Sequence, residues 1–254
     1  MQDAVQTVAR LLAKAGRVLF ITGAGVSAES GIPTFRGATA AFTNGQTEEG
    51  IPFETALSGP TFQRRPELSW KYFFLLEMAV RGKTPNAAHR AMAALQTPER
   101  EVWIATQNID GLHQQAGSRN VIELHGTMQC LLCPNCGYRN QPASYEGLTP
   151  LPRCPECQAV LRPDIVLYEE LLPEPALASF DRERDKGFDL VFSVGTTSIF
   201  PYVIEPVFTA SRRGIPTVEI NPDKTSLSDL VQFRFPAAAG PTLSQILQAM
   251  SPSA

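Results

Sequence analysis

The chain has 254 residues, with 22 Lys and Arg against 25 Asp and Glu, a formal charge of −3. At 43% hydrophobic and 19% charged residues it is a folded chain with ample core, not a disordered one. Its pI near 5.7 gives no whole-protein reason to expect direct nucleic-acid binding, and no apolar run approaches the ~18 residues of a membrane helix.

Residues 2–15 place Ala4, Val8, Leu11, Leu12 and Ala15 at helical spacing before Gly16, which predicts an amphipathic helix. Val18-Leu19-Phe20-Ile21 then forms an apolar run stopped at Gly23, the pattern of a strand buried on both faces. Similar runs follow at 102–105, 121–124, 165–167, 190–194 and 218–220, with helical stretches at 87–96, 174–186, 202–213 and 242–250. Strands alternating with helices predict an α/β fold, a doubly wound parallel (Rossmann-like) sheet covered on both sides.

Two segments break the alternation. Residues 38–84 hold a polar, glycine-containing loop and an aromatic helix around Trp70-Lys71-Tyr72-Phe73-Phe74, and residues 127–160 hold all five cysteines. Together they are expected to build a smaller zinc-binding and helical domain over the carboxyl edge of the sheet, where such folds bind ligands. The larger domain is then 1–37, 85–126 and 161–254, with the smaller one at 38–84 and 127–160.

Residues 1–15 lack the charged start and apolar middle of a secretory signal. A cytoplasmic location is expected, and the cysteines read as thiols or metal ligands, not disulfides. Cys133-x-x-Cys136 and Cys154-x-x-Cys157 are separated by 17 residues, a spacing that fits a four-cysteine zinc site. Four thiolates close the tetrahedron and leave no position for water, so one structural ion is expected. Cys130 is spare.

Gly23-Ala24-Gly25-Val26-Ser27-Ala28 follows the first strand and matches G-x-G-x-x-A, a weak signal alone. Its small residues and an expected helix start behind it suit a pyrophosphate. The dehydrogenase arrangement also needs a second strand ending in an acidic ribose ligand, and residues 38–50 carry no strand signal, so hydride transfer is disfavoured. The polar segments Thr106-Gln107-Asn108-Ile109-Asp110 and Leu124-His125-Gly126 end the next two strands and converge on the same sheet edge. A histidine there suits general-base work near neutral pH.

The run Gly23-Ala24-Gly25-Val26-Ser27-Ala28-Glu29-Ser30-Gly31-Ile32-Pro33-Thr34-Phe35-Arg36-Gly37 resembles the signature of the sirtuins, NAD-dependent protein-lysine deacylases. Residues 106–113, Leu124-His125-Gly126, the cysteine knuckles, Gly195-Thr196-Thr197-Ser198 and Glu219-Ile220-Asn221-Pro222 continue the resemblance in order, over roughly residues 6–248. It implies NAD in a cleft between the two domains, with Gly23, Ala24 and Gly25 at the phosphates and Phe35 and Arg36 in a loop over the nicotinamide ribose. Gln107 would hold the ribose, Asn108 and Asp110 would orient ribose and carboxamide, and Gly195, Thr196, Ser198 and Asn221 would serve the adenosine half. His125 would be the base, with Asn108 and Asp110 beside it in the catalytic set.

The implied reaction transfers the acyl group of a lysine to the ADP-ribose part of NAD, releasing nicotinamide, free lysine and O-acyl-ADP-ribose. An acyl-lysine protein bound as an extended peptide is the implied partner, with Val166 and Tyr168 at its binding segment and a monomer expected. Sirtuins that take succinyl- or malonyl-lysine carry a tyrosine and an arginine where this chain has Phe73 and Leu76. Burying a carboxylate there without a partner costs several kcal/mol, so neutral acyl groups, acetyl first, are expected. Arg64 or Arg65, reaching in from elsewhere, would restore activity on acidic acyl groups.

Three departures from the family pattern matter. Ala40-Ala41-Phe42 replaces a bulkier segment and widens the expected pocket. Tyr168-Glu169-Glu170 stands where Phe-Gly-Glu is common, and its added carboxylate favours basic neighbours on the substrate. Thr197 replaces a serine. Protein ADP-ribosyl transfer is the alternative enzyme reading, and a non-catalytic NAD-sensing module the reading from another class.

Overall fold

The computed structural model describes residues 2–34 and 46–250. The strands are β1 (Arg17–Thr22), β2 (Glu101–Thr106), β3 (Asn120–Glu123), β4 (Gly126–Leu132), β5 (Arg139–Asn140), β6 (Arg162–Ile165), β7 (Leu190–Val194), β8 (Thr217–Ile220) and β9 (Phe233–Phe235). The helices are α1 (Gln2–Lys14), α2 (Phe53–Ala56), α3 (Gly59–Arg64), α4 (Pro66–Val80), α5 (Ala87–Ala94), α6 (Leu112–Gln115), α7 (Glu174–Asp185), α8 (Pro201–Arg212) and α9 (Ala239–Met250).

Six strands form one sheet in the order β3-β2-β1-β7-β8-β9, every neighbouring pair parallel. Counted within that sheet the order is 3-2-1-4-5-6, the doubly wound arrangement. Alternation along β1 explains why the strand reads as an unbroken apolar run. Val18 and Phe20 join a core with α1, α5 and α9, whereas Leu19 and Ile21 face the core built with α7 and α8. Phe20 stacks on Phe192 of β7 with ring centroids 4.5 Å apart, locking the two central strands.

The second sheet is small and antiparallel, in the order β5-β4-β6. This corrects the placement of the 165–167 run: its strand ends at Ile165 and pairs with β4, not with the parallel sheet. β6 is also short of apolar residues at its start, Arg162 and Asp164 standing at alternate positions, as suits a strand with one wet face. A separate core unites the two inserted segments, with Phe53, Phe62, Trp70, Tyr72 and Phe73 from one and Met128, Leu131 and Tyr145 from the other, joined by Leu161 just beyond it. Trp70 sits fully buried and donates its indole N–H to the Leu161 carbonyl at 2.8 Å.

Candidate functional site

The order of the parallel sheet reverses between β1 and β7, and the loops leaving those strands touch. The amide of Gly23 donates to Val194 O at 3.1 Å and that of Gly25 to Gly195 O at 2.8 Å. A Cβ on Gly25 would stand 2.8 Å from the Gly195 Cα, and one on Gly23 would stand 2.8 Å from the Thr196 Cβ. These glycines are therefore demanded first by the approach of two backbones. The segment after β1 forms two single-turn 3-10 helices, Ala24–Val26 and Ala28–Ser30, and not the expected α-helix start. Gly31, at φ 76°, and Pro33 end it.

A cleft of about 1360 Å³ opens at this edge and runs to the small sheet. That exceeds the ~300–1,000 Å³ of an ordinary small-molecule pocket, leaving room for an extended dinucleotide and part of a second chain. Gly23, Ala24, Gly25, Gln107, Asn108, Asp110, His125, Gly195, Thr196 and Asn221 all line it, with Leu76, Val166 and Tyr168. Phe35, Arg36 and Ala40-Ala41-Phe42 lie outside the described residues.

Two residues are placed elsewhere. Phe73 is fully buried, edge-on to Trp70 at 5.5 Å, and fills the small core without reaching the cleft lining. Ser198 is likewise fully buried at φ 53°, its hydroxyl 3.4 Å from that of Ser193, and turns away from the lining that Thr196 and Thr197 form. Being at a left-handed turn, Ser198 directs its side chain back toward β7 where an extended residue would have sent it outward.

The polar side chains at the strand ends are fixed by one another. Ser27 Oγ donates to Asp110 Oδ2 at 2.6 Å and accepts from Asn108 Nδ2 at 3.1 Å. The second Asp110 oxygen accepts from the Leu112 amide at 2.9 Å. Gln107 Nε2 donates to Thr196 Oγ1 at 2.9 Å, tying β2 to β7, and Asn221 Nδ2 donates to Thr196 O at 2.8 Å, tying in β8. Behind them His89 and His113 are buried with ring centroids 4.8 Å apart. Burial holds His89 down to about 4 and His113 to about 3, so both are neutral at pH 7.

His125 stands where the chain leaves β3 for β4. Gly126 follows it at φ 74°, and a Cβ there would collide with the Asp164 carbonyl oxygen of β6, so only glycine passes. The His125 carbonyl accepts from the Val166 amide at 2.9 Å. Burial pushes the imidazole down to about 4, opposed by a backbone hydrogen bond to Gln107. The ring is neutral at pH 7 and able to take a proton. Its Nε2 lies 2.6 Å from the Tyr202 hydroxyl, and Phe200 meets the ring edge-on at 6.3 Å. Neither aromatic was anticipated from sequence, although both follow the loop that leaves β7 beside Gly195.

The four cysteine sulfurs of 133, 136, 154 and 157 lie within 4.8 Å of one another. Cys133 and Cys157, and Cys136 and Cys154, are each 3.5 Å apart. A tetrahedral zinc with bonds of ~2.3 Å sets its sulfurs about 3.8 Å apart, so the cluster fits that ion. Each knuckle repeats one turn: Gly137 N donates to Cys133 O and Gln158 N to Cys154 O, both at 3.0 Å. Cys130 is buried away from the cluster.

A family model described as "Sir2 family" matches residues 23–201. "NAD-dependent protein deacylase 2" of Pseudomonas aeruginosa is 47% identical over 247 residues, covering 96% of each chain. A solved mutant of a Sir2 homologue in complex with 2′-O-acetyl ADP-ribose superposes with a TM-score of 0.86 at 33% identity, covering 96% of this chain and 95% of its own. A solved Sir2–p53 peptide–NAD+ complex gives 0.80 at 26% identity, covering 95% and 96%.

Proposed function

The chain belongs to the Sir2 family, and from that premise we propose that it is an NAD-dependent protein deacylase acting chiefly on acetyl-lysine. One observation carries the reading: a neutral imidazole, His125, shares a dinucleotide-sized cleft with a self-braced set of Ser27, Asn108, Asp110 and Gln107. When bound, NAD supplies an electrophilic ribose carbon, nicotinamide as its leaving group and a ribose hydroxyl. His125 would take the proton of that hydroxyl at Nε2. Asn108 and Asp110 keep fixed orientations through Ser27 and hold the ribose and carboxamide ends without rearranging. Thr196 and Asn221 serve the adenosine half, and Ala24, outside the bonds that tie Gly23 and Gly25 to β7, offers its amide to the phosphates.

The acyl-lysine enters beside Val166 and Tyr168. Tyr168 is already paired on one side, its amide to Leu57 O and its carbonyl to the Gly59 amide, both at 3.0 Å. A bound peptide pairs with the main chain of Glu169 by strand addition. Glu170 does not add charge to that surface, because Arg162 holds both its oxygens at 2.6 and 2.8 Å. Glu169 alone favours a basic neighbour on the substrate.

The preference for neutral acyl groups rests on Leu76 and on the charge of the cleft. Among the described residues its lining carries no arginine and one lysine, Lys224, which is paired with Asp229 at 2.9 Å. Arg64 donates to the Pro60 carbonyl and Arg65 pairs with Glu67, and neither lines the cleft. Among the described residues an acidic acyl group would meet no free cation there.

Two domains, the parallel sheet with its helices and the zinc and helical unit, are part of the same proposal, as are a monomer in the cytoplasm and no nucleic-acid partner. No helix among the described residues is long and apolar enough to cross a membrane. The test is mass spectrometry of the protein with NAD and matched acetyl-, succinyl- and long-chain-acyl-lysine peptides. Deacetylated peptide with O-acetyl-ADP-ribose is expected, and a succinyl peptide turned over at the acetyl rate overturns the acyl preference. Nicotinamide released without any acyl-ADP-ribose moves the assignment to ADP-ribosyl transfer.

A further inference from the structure

The lone pair on His125 Nε2, the atom the reaction needs, is occupied in the free protein. The Tyr202 hydroxyl lies 2.6 Å from it. A neutral imidazole carries one ring proton; with that proton on Nδ1, Nε2 is the acceptor and the phenol the donor. The phenol is itself held: its ring lies 5.3 Å from Phe200 and within 9° of parallel, and Pro201 between them opens α8. Phe200 also meets the imidazole edge-on. Three rings thus brace one another across the seam between α8 and the β3–β4 crossing. The imidazole interacts with the Gln107 main chain, Phe200 and Tyr202, and of these three Tyr202 alone titrates.

We propose that Tyr202, held by its stack on Phe200, is a positioning residue for His125, fixing the tautomer and ring orientation that leave Nε2 ready to accept a proton. The proposal rests on the deacylase reading for its catalytic meaning, but the hydrogen bond itself does not. Nε2 has one lone pair, so the substrate hydroxyl replaces the phenol there. Tyr202 acts before that exchange, by removing the wrong tautomer and rotamers from the free enzyme. Its bond stabilises the neutral ring and so adds to the fall that burial causes.

The test uses the full chain with zinc bound. With only three histidines in the chain, each imidazole is followed by nitrogen-resolved NMR, and His125→Ala assigns its signal. Wild type should show the Nε2-unprotonated tautomer, and Tyr202→Phe should raise the His125 midpoint by about half to one pH unit. His89 and His113, which Tyr202 does not contact, should not move. In the peptide assay Tyr202→Phe should slow deacylation about three- to tenfold. Exchange of labelled nicotinamide, which precedes the proton transfer, should stay within about twofold of wild type. Phe200→Leu should move both readouts in the same direction by less.

An active wild type whose His125 midpoint is unmoved by Tyr202→Phe overturns this proposal alone. A faster Tyr202→Phe enzyme overturns it too, showing a competitor for Nε2 in place of a support. A wild-type protein that removes no acyl group overturns the deacylase reading and the positioning role with it, whatever the NMR shows.

Discussion

The carboxyl edge of the parallel sheet and the cysteine unit beside it are ordered by opposite means. At the sheet edge, strands buried on both faces set the loops, and each polar side chain is then fixed by another, Ser27 by Asp110 and Gln107 by Thr196. The cysteine unit has little burial at its tip, where residues 134–140 are almost all exposed, and its two knuckles converge on four sulfurs, of which those of Cys133 and Cys154 belong to buried residues. Its aromatic base, around Trp70 and Tyr145, supplies the rest. A site built by packing survives the loss of any one ligand. A site built by coordination does not.

Zinc removal is the harshest way to break that contrast. Structural zinc contributes ~10–16 kcal/mol in small zinc modules, so chelation, or Cys154→Ser, should unravel the β5-β4-β6 sheet while hydrogen exchange in β1, β2 and β7 stays slow. Equal loss of protection in both sheets would show that they do not stand apart. His125→Ala should cost deacylation about 10²–10⁴-fold with the melting temperature little changed, read by peptide turnover and calorimetry. Trp70→Ala should cost about 3–5 kcal/mol in a denaturant titration, felt mostly in the aromatic base.

Acid sharpens the comparison from the other side. Burial lowers all three histidines, His89 and His125 to about 4 and His113 to about 3. Below the ordinary value of 6.5 the unfolded chain therefore binds protons that the folded chain refuses. Stability is complete above pH 6.5 and falls as pH drops toward 4, by up to ~1.4 kcal/mol per pH unit for each ring. Denaturant midpoints at pH 7.5, 6 and 5 should fall in that order, and the loss should be reduced in His113→Gln. The smallest effect belongs to Glu169, which holds φ 68° where a glycine would be unstrained. Glu169→Gly should stabilise by about 1 kcal/mol, visible as a modest rise in melting temperature.

The parallel sheet was legible because a strand buried on both faces leaves a continuous apolar run, as Val18 to Ile21 and Leu190 to Val194 do. The zinc cluster was legible because coordination imposes fixed spacing. β6 and β9 were not, since Arg162-Pro163-Asp164-Ile165 and Phe233-Arg234-Phe235 are too short and too polar to stand out from loops. Gly23 and Gly25 were visible as a motif, but that they serve the packing against Gly195 is a long-range fact that local pattern does not contain. Phe73 was assigned to the pocket by register, and only the packing of α4 against Tyr145 and Leu161 turns that face of the helix inward. Tyr202 lies 77 residues from His125, and a contact at that separation leaves no trace in composition or period.

The chain passes from β3 to β4 with only Leu124 and His125 between them, and the return from β6 is pinned to the His125 carbonyl by the Val166 amide. Two of the four passages between the proposed domains thus meet at His125, and a swing of the small sheet about that point would move it least. A point on a pivot travels least, as the pin of a door hinge stays put while the handle sweeps. Were the cleft walls to open for a peptide and shut again about that point, the atom that takes the proton would hardly change its address.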